Sequence, residues 1–99
     1  MQRFTVPNEL SSNVKKMNRL FASEQMDIIN IQMRAGEAIP THNAKQTAVV
    51  IVRKGELIFN VEGTDYELKD TDILVLKPLE NHSLLAITDV EVVVLKIHK

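Results

Sequence analysis

Three imidazoles are the side chains best suited to chemistry in this chain: His42, His82 and His98. A neutral imidazole can ligate a metal, hydrogen-bond a small molecule, or titrate at about pH 6.5. His42 lies six positions after Gly36 in a stretch that runs through Ala44, Gln46, Ala48, Val50 and Val52 to Gly55. His82 follows a Lys77-Pro78 turn, and His98 is expected to fray beside the last residue. Cysteine is absent, which excludes disulfides and thiol nucleophiles. No Ser-His-Asp set, nucleophile elbow or phosphate-cradling Gly-rich loop can be assembled, so no catalytic residue is assigned.

The elements that must position these residues read as short strands. Asp27–Arg34 is rich in Ile and Met, and Thr47–Arg53 is β-branched and apolar. Gly36 and Pro40 punctuate the loop between them. Lys54-Gly55 followed at once by Leu57–Val61 predicts a hairpin. Tyr66–Leu68 alternates apolar and polar residues, Ile73–Leu76 ends at the Lys77-Pro78 turn, and Ser83–Thr88 and Val90–Ile97 close the chain. Arg19–Ala22 is a weaker strand, and Asn8–Lys16 is a loop or one helical turn. The pattern predicts roughly eight to ten strands and no long helix: an all-β, antiparallel sandwich or barrel in one domain. Met17, Met26 and Met33 are expected to fill the core.

Bulk composition narrows the partners. A chain of 99 residues supports one modest core. Twelve basic and 13 acidic residues leave a net charge of −1, with no basic cluster to grip a nucleic-acid backbone. No apolar run approaches the roughly 18 to 20 residues of a membrane helix, and the first residues do not resemble a signal peptide. A cytoplasmic protein with no nucleic-acid or membrane partner is expected. Val49–Val52 and Val92–Leu95 are apolar at every position, whereas a strand with one wet face alternates. Both faces should therefore be covered, by a second copy in a homodimer or by residues 1–22; the homodimer is the expected state.

The stretch Gly36–Gly55 resembles the first signature of the cupins. That signature reads Gly, five residues, His, one, His, three or four, Glu, six, Gly. Gly36, His42 and Gly55 stand on register, but Ala44 occupies the second His position and Ala48 the Glu position. Residues 71–83 are similar to the second signature (Gly, five, Pro, one, Gly, two, His, three, Asn). There His82 holds the His position, Thr71 and Leu79 replace the two glycines, Lys77 replaces Pro with Pro78 following, and Ala86 replaces Asn. The resemblance covers about residues 19–97. It implies a single-domain, antiparallel, cupin-like jelly-roll β-barrel over 19–97, preceded by an N-terminal arm of residues 1–18.

In the family, three His and one Glu hold a metal in the barrel. Carried over by position, only His42 and His82 remain as metal ligands. A tight transition-metal site uses three or four N, O or S donors at about 2.0 to 2.3 Å. The expected cofactor is therefore none, or a weakly bound divalent metal. With unbroken alternation, residues 42, 44, 48, 50 and 52 share one face. The expected ligand-binding set is His42, His82, Ala44, Gln46, Ala48, Val50 and Val52, lining an apolar pocket for an unknown small molecule. The balance leans away from an enzyme. The alternative is a metal-dependent oxygenase or isomerase in which Gln46 or Glu37 supplies a further ligand to His42 and His82. A third possibility is a structural interaction module with a vestigial pocket.

Overall fold

The computed structural model describes residues 1–98. Nine strands form: β1 (Lys15–Ala22), β2 (Met26–Met33), β3 (Ala38–His42), β4 (Thr47–Lys54), β5 (Leu57–Val61), β6 (Thr64–Leu68), β7 (Ile73–Leu76), β8 (His82–Ala86) and β9 (Val90–Ile97). They build a five-stranded sheet of order β1-β2-β9-β4-β7 and a four-stranded sheet of order β3-β8-β5-β6. Every pairing is antiparallel. The sheets face one another as an open jelly-roll sandwich. No ladder among the described residues joins them, so the expected barrel is not closed.

Alternation along the strands makes the core. Val50 and Val52 of β4, Val92 of β9 and Met33 of β2 meet Leu57 and Phe59 of β5, all buried. Branched and aromatic side chains suit this pleated surface.

Three local expectations change. Lys54-Gly55 turns the chain, but β4 pairs with β7 and β9 while β5 pairs with β6 and β8. The turn is thus a crossover between sheets rather than a hairpin. Gly55 takes φ +85°, and a methyl built there would overlap the Asp89 carbonyl oxygen. Residues 38–42, expected as loop, form β3. Pro40 is tolerated because β3 is an edge strand whose register shifts between Ile39 and His42. β1 starts at Lys15 rather than Arg19, because pairing with β2 extends it.

The outer face of the five-stranded sheet is covered at one end only. There Gln32 accepts from the Glu9 backbone N–H at 2.9 Å and donates to the Pro7 carbonyl at 3.0 Å, while Asn30 donates to Glu91 at 2.9 Å. Phe4 packs edge-on to Phe21, and Leu10 is buried. At the other end Ile73 and Val75 remain 66% and 59% exposed, beside half-buried Val49 and Ile51.

Candidate functional site

His42 ends β3 and His82 begins β8, and the two are direct partners in the β3–β8 ladder. Direct cross-strand partners share a face. The rings meet edge-on with centroids 4.2 Å apart, and Phe59 stacks on His82 at 5.8 Å. His42 Nδ1 lies 2.9 Å from the Pro40 carbonyl and His82 Nδ1 lies 3.0 Å from the Glu80 carbonyl. A carbonyl oxygen only accepts, so each neutral ring carries its proton on Nδ1 and keeps Nε2 as an acceptor. The Glu80 carbonyl bond favours the charged form of His82. Burial outweighs it and holds the His82 pKa below the usual 6.5, and the positive charges of His42 and Lys96 push the same way.

These rings border a cavity of about 340 Å³ between the sheets. Exposed Met17, Pro40, Thr41 and His42 mark its mouth, and buried Val50, Phe59, Ile31 and Leu84 form its depth. Ala44 and Ala48 line it too. They converge with His42 for a reason other than the expected one. Residues 43–46 leave the strand, so His42 belongs to the four-stranded sheet and Ala48 to the five-stranded one. They meet across the gap rather than along one face. Two bonds fix the loops around the rings: the Leu79 N–H donates to the Ala44 carbonyl at 2.7 Å, and Asn43 Nδ2 donates to Asn81 Oδ1 at 2.9 Å.

The remaining sequence candidates lie elsewhere. Val52 shares a strand face with Val50, but it is packed in the core beyond the cavity wall. Gln46 lines a separate depression, with its Nε2 3.5 Å from His98 Nδ1. Glu37 is not part of the cavity wall. His98 is held rather than frayed: its N–H donates to the Gln25 carbonyl at 2.8 Å, and its Nε2 lies 3.2 Å from Asp27. Met17 stands 57% exposed at the mouth instead of filling the core.

Sequence reasoning missed Lys96. It lines the cavity from β9, directly opposite Ala48 of β4. Val90, Val92 and Val94 already mark the inward phase of β9, and Lys96 is the next residue in that phase. No Asp or Glu lines the cavity.

A family model described as "Cupin domain" matches residues 30–98. The chain belongs to the cupin family. This cupin resembles several solved structures at identities that speak for the fold alone. One is a cupin superfamily protein from Desulfitobacterium hafniense (TM-score 0.82, 14% identity, covering 88% of this chain and 80% of that one). Another is an RmlC-like cupin with a double-stranded β-helix fold from Methanocaldococcus jannaschii (TM-score 0.83, 21% identity, covering 99% and 93%). A third is the salicylate 1,2-dioxygenase of Pseudoaminobacter salicylatoxidans (TM-score 0.80, 19% identity), where 85% of this chain matches only 25% of the longer protein. No curated protein matches the chain.

The residues present do not fit the metal that the family commonly holds. Ala44 and Ala48 offer methyl groups where the second His and the Glu would stand. Lys96 adds a positive charge beside Ala48. Among the described residues no cluster of three or more His, Cys, Asp or Glu could hold a metal ion.

Proposed function

We propose that this cupin binds a small molecule between its sheets without a resident metal ion. The donor set of the cavity carries this reading. Its wall is mostly aliphatic and aromatic, and its polar side chains are two imidazoles, Thr41 and Lys96. A concave apolar site with a few fixed polar groups is the usual form of a small-molecule pocket. The two Nε2 acceptors suit a ligand that presents a hydroxyl or N–H. Val50 and Ala48 supply contact area in place of coordination. The likeness to the dioxygenase reaches the fold, at 19% identity, and gives no ground for transferring its reaction.

One observation favours the metal-dependent alternative. Anchoring Nδ1 to a carbonyl leaves Nε2 free to ligate, which is how metal-binding histidines are commonly oriented. Elemental mass spectrometry of protein purified without chelator separates the two, run beside a His42→Ala/His82→Ala double variant. Metal far below stoichiometric in both is expected. Near-stoichiometric metal that disappears in the double variant overturns the proposal.

The uncovered outer strip supports a second copy as partner. Ile73, Val75, Val49 and Ile51 form a largely uncharged surface on neighbouring strands. An apolar strip of this kind suits the isologous contact of a two-fold dimer.

A further inference from the structure

We infer that the ligand of this cavity is an apolar anion, such as a small monocarboxylate, whose charge is met by Lys96. The inference rests on the small-molecule reading above and adds the chemical class. Lys96 pairs in register with Ala48, the position where the family's first signature places its metal-ligating Glu. Ala48 supplies no carboxylate at this cross-strand pair and Lys96 supplies an ammonium, so the wall there attracts an anion rather than holding a cation.

Neighbouring acids do not cancel this charge. Asp27 is the register partner of Lys96 on β2 and shares its inward face. Its carboxylate is already engaged, with Oδ2 3.8 Å from Arg19 and Oδ1 3.2 Å from His98 Nε2. Arg19 balances Asp27, and Lys96 forms no ion pair among the described residues. Lys96 lines the same cavity wall as His82, and its positive charge is one of the smaller causes that lower the His82 pKa.

The low-dielectric wall strengthens the attraction. Lys96 is half-buried on the cavity wall, where water screens its ammonium less than at an open surface. An incoming carboxylate gains a charge-assisted hydrogen bond from this ammonium. The ligand's apolar body then lies along Val50, Ile31 and Phe59. A cation, by contrast, would meet Lys96 and no compensating acid.

The test is isothermal titration calorimetry with a panel of apolar monocarboxylates from butyrate to 2-naphthoate, each beside its neutral primary amide. The proteins are the native chain, Lys96→Met and Lys96→Arg, with folding checked by circular dichroism. Met keeps the length of the aliphatic stem, and Arg keeps the charge. The expected result is at least one carboxylate bound about tenfold or more tighter than its amide by the native chain. That preference should collapse in Lys96→Met and persist in Lys96→Arg. Equal binding of acid and amide, or a preference unchanged in Lys96→Met, overturns the anion inference and leaves the small-molecule reading standing. Binding of neither acid nor amide across the panel overturns both.

Discussion

Putting the two missing donors back is the sharpest test of how this site is built. Ala44 and Ala48 border the same cavity as His42 and His82, so Ala44→His with Ala48→Glu should assemble a four-donor set. Ala48 is only 6% exposed and lines the cavity, which places the new carboxylate where water solvates it only in part. Without metal the double variant should lose about 1–3 kcal/mol, from partial desolvation of the Glu and crowding near Phe59. The cavity of about 340 Å³ keeps the crowding at the lower end. Adding manganese(II) or zinc(II) reverses the sign. At a free metal concentration about 100-fold above Kd, binding stabilises the fold by about 2.7 kcal/mol. For a domain of this size each kcal/mol moves Tm by about 4–8 °C, so the metal-dependent rise is roughly 10–20 °C. Scanning calorimetry with metal and with chelator reads it, and elemental analysis gives the stoichiometry. Adding Lys96→Met should tighten the metal further by removing an opposing charge and an ion-pair partner for the new Glu. A folded double variant with no metal-dependent rise refutes the convergence of these positions. The same rise in the native chain refutes the claim that its own donors do not suffice.

Four further outcomes are expected. The His82 pKa lies below 6.5 in the fold, so the unfolded chain binds more protons as pH falls; stability should drop from pH 6.5 down through the folded pKa, and His82→Gln should flatten that limb. Proton NMR of the ring should also show the pKa rising towards 6.5 in Lys96→Met; no change there would refute the influence of Lys96 on the ring. Leu79 holds φ 68° while 62% exposed, a left-handed conformation costing a branched residue about 1–2 kcal/mol, partly offset by the greater unfolded-state freedom of glycine. Leu79→Gly should therefore raise the urea midpoint by an amount equivalent to about 0.5–1 kcal/mol, and a lower midpoint refutes the strain. Sedimentation should show a dimer for the native chain and a monomer for Val75→Lys, because a lysine at the centre of the outer strip cannot be buried unpaired; a native monomer refutes the interface.

The fold was legible where periodicity or punctuation is local. β-branched runs at Thr47–Arg53 and Val90–Ile97, and turns at Gly55 and Gly63, mark the strands and their ends. Strand partnership was not legible, because it depends on contacts remote in sequence. Lys54-Gly55 looks like a hairpin, yet the chain uses it to change sheets. Once β9 and β7 take the two sides of β4, neither is left for β5. Pro40 likewise argues against a strand in an interior position and is harmless at an edge. Both surprises come from which neighbour a strand acquires, a property no short window of residues contains.

The site divides along the same line. His42, His82, Ala44 and Ala48 could be found from spacing because motif positions fix where each residue leaves its strand. Val52 was carried along by alternation, which does not say where a cavity ends, and it continues the inward face into packed core; Gln46 was chosen for an amide close to the missing ligands, yet it sits in the loop that breaks the face. Lys96 needed a different signal. Its phase was readable from Val92 and Val94, but a charge next to a chain end reads as solvated until β9 is set against β4. Register then brings it opposite Ala48, and the two positions acquire meaning only together. An alanine at the motif's ligand position is a missing donor; an alanine facing an inward lysine is a wall that favours an anion over a cation. That pairing, rather than the absence of donors, gives the cavity a preference that solution binding can test.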